Sequence, residues 1–223
     1  MAQDVKPKRP YASARRRKQA AATRREILEA AERLFTERGY PATTMEAIAE
    51  AAGVSLKTAY LPFTTKAGLL RALWDLRLKG DEADAPVADR DWYRAVVDEP
   101  DPRRRLQLVG AASRRVKERI GPMLRIIRGA ATVDADLADL WQLIQTDFHA
   151  NQRALLEGVA PALRPGLTLD RAADLLWTLN HPDVWLLLVV ERGWAPAEWE
   201  EWFVSAATSA LLEPSDSSHS PKL

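Results

Sequence analysis

The chain has no cysteine and only three histidines among its 223 residues. The first absence excludes a disulfide framework and any thiolate zinc site. The wide separation of His149, His181 and His219 leaves no histidine pair at metal-ligand or catalytic spacing. Long apolar runs are missing as well. The most apolar stretch, VWLLLVV at 184–190, lies between Asp183 and Glu191, far short of the roughly 20 residues that a membrane span needs. No apolar segment of signal-peptide kind follows the opening MAQDVKPKRP, so a cytoplasmic location is expected. Strand-like alternation does not persist anywhere, and no internal repeat emerges at a fixed period.

What is present is apolar content of 47%, enough for one large or two modest cores, and a charge distribution that the net value of +1 conceals. Residues 1–80 hold 16 Lys/Arg against 8 Asp/Glu, whereas residues 81–223 hold 16 against 23. Such opposed halves suit a polyanion-binding head on a body that does not touch the polyanion. The densest basic stretch, ARRRKQAAATRR at 14–25, is equally of the kind that serves as a solvated tail.

Helical punctuation organises the head. Thr23 with Glu26 has the spacing of a capping box, and Ile27, Ala31, Leu34 and Phe35 follow on one face until Gly39. Tyr40-Pro41 makes a corner, after which Thr43 with Glu46 predicts a second helix with Met45, Ile48, Ala49 and Ala52 inward. Gly53 then permits the left-handed turn that a sharp helix-helix corner requires, Val54 plugs the corner, and Ser55 caps a third, short helix. A helix so short is marginal alone, so it must be held by its neighbours: Ala59 allows close packing, and Tyr60 and Phe63 are ring anchors. In a helix-turn-helix such a held helix presents its outer face to the major groove. Leu56, Lys57, Thr58 and Leu61 are left facing outward, with Lys57 suited to a guanine edge or phosphate and Thr58 to a phosphate or thymine methyl. Thr64 or Thr65 caps a further helix over about 66–80, whose amino end and Lys66 both attract phosphate.

Residues 24–70, RREILEAAERLFTERGYPATTMEAIAEAAGVSLKTAYLPFTTKAGLL, resemble the DNA-binding domain of the tetracycline-repressor (TetR) family. The resemblance spans the first helix, the Gly-Tyr corner, the Thr-x-x-x-Ile-Ala-x-x-Ala-Gly-Val-Ser run, and Tyr60, Phe63 and Lys66 in register. It implies a homodimeric transcriptional regulator, usually a repressor, whose C-terminal helical domain binds a small effector and dimerises; separately, the residues suggest no cofactor and no metal site. Its DNA-contacting positions are carried onto Thr44, Lys57, Thr58, Tyr60 and Lys66, with Leu56 facing the groove. Pro62 departs from the family pattern, and because proline disfavours helical geometry at the residue before it, the third helix is expected to end early. Ahead of Thr23, Lys6, Lys8, Arg9, Arg15, Arg16, Arg17 and Lys18 form an arm able to follow flanking phosphates; a disordered solubilising tail is the alternative.

The expected fold is all-α: a basic flexible arm over 1–22, a helix-turn-helix DNA-binding domain with its connecting helix over 23–80, an antiparallel helical ligand-binding and dimerisation domain over 81–213, and a disordered tail over 214–223. In the body, helices are predicted at about 87–98, 102–119, 122–132, 135–159, 169–191 and 196–212, with APALRPG at 160–166 as the clearest break. The segments 169–191 and 196–212 carry more apolar surface than one core face requires, which predicts a four-helix bundle about a two-fold axis with a second copy. Met123, Ile127, Trp141, Phe148, Trp177 and Trp185 are candidates to line an apolar effector cavity, with Leu124 and Ile144 beside them; all serve equally as core. At NHPD, 180–183, Pro182 deprives the Thr178 carbonyl of its helical donor, and exposed carbonyls with Asn180 or His181 are candidates to orient a small apolar or aromatic effector; a purely structural kink is the alternative. Asp134, Asp136 and Asp139 are explained by the dipole at the start of a helix, and no partner base accompanies them. The expected function is thus operator binding rather than catalysis, with non-specific DNA coating or scaffolding as the competing class.

Overall fold

A computed structural model describes residues 10–80 and 89–214, and side chains from residue 15 onward. The expectations placed on Lys6, Lys8, Arg9, His219 and the tail after residue 214 lie outside the described residues. Ten α-helices account for most of the described residues, which contain no strand, only an isolated antiparallel bridge between Leu163 and Leu212. The chain divides into two compact units, residues 1–73 and 74–223.

In the first unit α1 runs Pro10–Ala42, α2 Met45–Ala51, α3 Leu56–Tyr60, and α4, Lys66–Lys79, begins within it. The Thr23 capping box does not form, because α1 is already helical from Pro10 and passes straight through Thr23. The residues upstream are mostly Ala, Arg, Lys and Gln, which have high helix propensity and nothing that stops propagation. Residues 10–22 are therefore helical rather than a flexible arm. Gly39, at φ 75°, interrupts α1 where a stop was expected. The second cap also shifts by one residue. Thr44, not Thr43, accepts from the Ala47 amide at 3.2 Å, while Thr43 is fully buried with its Oγ1 2.8 Å from the Gly39 carbonyl and 3.1 Å from that of Leu34. Ile27, Leu28, Ala31 and Phe35 of α1, Ile48 of α2, Ala59 of α3 and Leu69 and Leu70 of α4 form the buried core.

The second unit contains α5 (Asp91–Val97), α6 (Pro102–Ala130), α7 (Ala135–Glu157), α8 (Leu169–Leu179), α9 (Pro182–Trp185) and α10 (Pro196–Leu211), with a π-helical turn at Leu186–Glu191. α6 packs against α5, α7, α9 and α10, and α8 against α7 and α10. The two helices predicted at 102–119 and 122–132 are one, continuous across Pro122. Proline there forfeits one backbone bond, but Ile120, Met123, Leu124 and Ile127 are all buried on either side of it, so tertiary packing outweighs the local break. The predicted helix at 169–191 is conversely broken. His181 takes φ −63°, ψ 137°, the extended geometry favoured before proline, and α8 ends at Leu179 with Asn180 as its cap.

Gly110 lets α6 approach α10 closely: a Cβ there would lie 2.7 Å from Val204 Cγ2 and 3.3 Å from the Phe203 ring. Gly110→Leu is expected to lower stability by about 1–3 kcal/mol through overpacking, despite better helix propensity. An unchanged urea midpoint would contradict this close approach.

Candidate functional site

The corner between α2 and α3 is built as its punctuation predicts. Gly53 lies at φ 66° and closes α2, and Ser55 accepts from the Thr58 amide at 3.2 Å as the cap of α3. α3 is anchored from beneath by Ala59, fully buried, and by Phe63, buried with the Arg24 guanidinium 5.1 Å above its ring centre. Its last helical residue is Tyr60, as expected ahead of Pro62, but Leu61 keeps helical geometry at φ −53°, ψ −47°, so it is the missing Pro62 amide donor rather than the conformation before proline that accompanies the end.

What this anchoring leaves outward is specific. Lys57 is exposed, and Leu56 at 38%, Tyr60 at 39% and Leu61 at 74% exposure form an apolar surface around it. Phe63 thus serves as the anchor, whereas Tyr60, assigned to both roles, lies on the surface. Thr58 is half-buried, and its Oγ1 lies 2.8 Å from Ser55 Oγ, which orients the hydroxyl at the start of α3. Thr44 caps α2 and remains exposed.

Lys66 departs from expectation. Its ammonium donates to the carbonyls of Tyr40 and Thr43, each at 2.9 Å, and lies 4.0 Å from the centre of the Tyr40 ring. Two of its three protons are spent tying the start of α4 to the corner after α1, so its visible role is as a clamp. Thr65, whose Oγ1 accepts from the Gly68 amide at 2.9 Å, caps α4. Thr64 adopts φ 65° in the turn between α3 and α4, with its amide donating to the Tyr60 carbonyl at 2.8 Å. A β-branched residue there is strained, so Thr64→Gly is expected to stabilise the protein by about 1 kcal/mol, net of glycine's greater unfolded-state entropy. A lowered thermal midpoint would contradict this. Arg15, Arg16 and Arg17 are exposed on the amino-terminal extension of α1.

In the second unit, the candidate effector residues divide into groups. Phe148, Trp177 and His181 come together, with ring centres 6.3 Å apart for Phe148 and His181 and 4.9 Å for Trp177 and His181. His181 Nε2 meets Gln145 Oε1 at 2.9 Å, its Nδ1 accepts from the Asp183 amide, and burial lowers its pKa below the usual histidine value. Trp177 Nε1 is buried with no hydrogen-bond partner. Trp185 instead packs edge-on against Trp199, at 5.1 Å, within the main core. Met123 and Ile127 are fully buried on α6, and Trp141 is half-buried on α7 and joins none of the ring pairs among the described residues. The Thr178 carbonyl is not left exposed, since the His181 amide donates to it at 3.2 Å.

Sequence reasoning missed Lys117, Ser113, Gln152 and Trp199. Lys117, 4% exposed, donates to Asn180 Oδ1 at 2.5 Å and lies 4.5 Å from the centre of the Trp199 ring, while Asn180 Nδ2 donates to Ser113 Oγ and Gln152 Oε1. The available signal was periodicity, because Val109, Ser113, Lys117, Ile120, Leu124 and Ile127 recur at three- and four-residue steps along one face of α6.

A held third helix that turns its outer face to solvent within a helix-turn-helix is the arrangement that DNA-binding regulators present to the major groove. Residues 27–73 match the family described as bacterial regulatory proteins, tetR family. Over 191 residues the chain is 30% identical to the "Probable HTH-type transcriptional regulator ArpR" of Pseudomonas putida, covering 78% of this chain and 85% of that protein. It is 48% identical over 61 residues to the HTH-type transcriptional regulator TtgR, also of Pseudomonas putida, or 27% of this chain and 29% of that one. Its fold is similar to that of NalD, the secondary repressor of the MexAB-OprM multidrug efflux pump in Pseudomonas aeruginosa, with a TM-score of 0.67 at 24% identity over 88% of this chain and 98% of that chain. The chain belongs to the tetR family of transcriptional regulators and is not an enzyme. No helix among the described residues is long and apolar enough to cross a membrane.

Proposed function

We propose that this regulator is a cytoplasmic repressor that binds a palindromic operator as a homodimer and releases it when a small apolar or aromatic effector binds in the second unit. The observation that carries the DNA reading is the outer surface of α3, where Lys57 sits among Leu56, Tyr60 and Leu61 on a helix too short to stand without its anchors. Exposed leucines fit thymine methyl groups and lysine fits a guanine edge or phosphate. In a dimer the two α3 helices must reach successive major grooves, about 34–36 Å apart or a multiple of the helical repeat. An effector acts if it binds better to the conformation that cannot span those grooves. Dimerisation is supported by Leu187 and Val190, which remain about half exposed on the π-helical turn within one of the two segments expected to pair with a second copy.

Selection of bound duplexes from a random DNA pool, repeated at two salt concentrations, tests this reading. A two-fold symmetric motif that survives higher salt is the expected outcome. Enrichment without a motif, lost as salt rises, would transfer the protein to the non-specific DNA-coating class. Arg15, Arg16 and Arg17 extend the proposed surface along flanking phosphates. Deleting residues 1–18 is expected to lower the slope of log affinity against log salt by several units, at about 0.9 per phosphate contact, and an unchanged slope would remove the arm from the interface.

A further inference from the structure

We propose that Lys117, held in place by Asn180, and the indole N–H of Trp199 form a subsite for the acidic group of an aromatic organic anion, a carboxylate or phenolate, borne by the effector. This rests on the effector-responsive reading above and assigns its ligand a chemical class.

Lys117 is buried in the middle of α6, and no carboxylate among the described residues accompanies it: its ammonium meets an amide oxygen, Asn180 Oδ1, and the face of an indole, Trp199. Asn180 cannot turn its amide nitrogen toward the lysine, because that nitrogen is spent on Ser113 Oγ at 3.0 Å and Gln152 Oε1 at 2.9 Å. Trp199 is itself 0% exposed, and its Nε1 donor has no hydrogen-bond partner. The cluster thus holds a surplus of buried donors, on Lys117 and on the indole it covers, and lacks an acceptor. Desolvation pushes the Lys117 pKa well below the ordinary lysine value, and a bound anion would raise it again.

A buried cation without a counter-ion costs stability that a leucine or methionine at the same place would not. Trp185, edge-on to Trp199 at 5.1 Å, and Phe203, stacked on it at 5.3 Å, make the surroundings aromatic. The α8–α9 break places Asn180 at the end of one helix, and the π-helical turn follows four residues after Pro182. Irregular segments of this kind reorganise more readily than continuous helix and recur at functional sites. The chemistry that satisfies ammonium and indole together, beside aromatic faces, is an oxyanion on a flat apolar body.

The test uses the full chain and three probes with one aromatic body, 1-naphthoate, 1-naphthamide and 1-naphthylmethylamine, titrated calorimetrically. Naphthoate is expected to bind about tenfold or more tightly than the other two. Lys117→Met, which keeps the volume, is expected to abolish that preference, and Trp199→Phe, which keeps the ring and removes the donor, to reduce it severalfold. Absence of naphthoate binding to the unaltered protein at millimolar concentration, no preference among the three probes, or a preference retained in Lys117→Met each overturns the subsite. Operator release measured in parallel separates the two readings. Release by the amide or amine, equal in Lys117→Met, keeps an effector-responsive repressor and removes the anion subsite. Naphthoate bound through Lys117 with no change in operator affinity keeps the subsite and removes effector control by this class.

Discussion

Alanine at both Lys57 and Thr58 is expected to remove about 2–6 kcal/mol of the preference for operator over random DNA, roughly a 30- to 25,000-fold loss, at about 1–3 kcal/mol for each of two base-reading contacts. Lys57 is exposed on α3, and Thr58 is oriented by Ser55, so neither contributes to the buried core. The cost to folding is therefore limited to the Thr58 hydroxyl's contact with the cap, at most about 1 kcal/mol. Circular dichroism and light scattering should match the unaltered protein while competition binding against random duplex shows the loss. Sequence preference retained in the double variant would mean that α3 is not the reading element.

Replacing Arg105 by leucine is expected to destabilise the second unit by about 3 kcal/mol or more, because each carbonyl that loses its donor costs about 1–3 kcal/mol. The guanidinium is 3% exposed and donates through Nε to the Glu99 carbonyl at 2.7 Å, through Nη2 to Val97 at 2.6 Å and through Nη1 to Leu155 at 3.1 Å. Val97 ends α5 and Leu155 lies in the last turn of α7, so a single cation meets two helix carboxyl termini whose carbonyls lack intrahelical donors. Leucine fills much of the volume but leaves three acceptors without this donor, the Leu155 carbonyl buried and those of Val97 and Glu99 partly buried. Arg105→Lys should recover only part of the loss, because a point-like ammonium does not reproduce the planar fork. Urea denaturation followed by circular dichroism measures both variants; a loss below about 1 kcal/mol for leucine would show that the three carbonyls find other donors.

Much of the first unit was legible because its signals are local. Gly39 and Gly53 mark turns through their own backbone freedom, and both adopt positive φ. Ser55 caps α3, and Pro62, which lacks an amide donor, follows its early end. The errors came where two neighbouring residues compete for one role. Thr43 and Thr44 are both good caps, and only the buried environment of α1 draws Thr43 inward to the Leu34 and Gly39 carbonyls. Thr23 and Glu26 have capping spacing, but that pattern cannot start a helix where the preceding residues already propagate one.

By itself the sequence determined the all-helical class, the helix-turn-helix and the outward placement of Leu56, Lys57 and Leu61, though not of Tyr60, since each follows from periodicity, caps and glycines acting over a few residues. Only the tertiary structure decided where long polar side chains end. Lys66 was expected to attract phosphate and instead clamps the Tyr40 and Thr43 carbonyls, more than twenty residues away in the chain. Arg105 and Lys117 have the composition of surface residues, yet packing encloses both, giving one three backbone acceptors and the other an amide and an indole. The same long-range packing carries α6 across Pro122, whereas Pro182 breaks the chain between α8 and α9. Buried residues flank both prolines, so what differs is the residue before each: Gly121, with no Cβ to clash with the proline ring, stays helical, whereas His181 turns extended and caps α9 through its Nδ1.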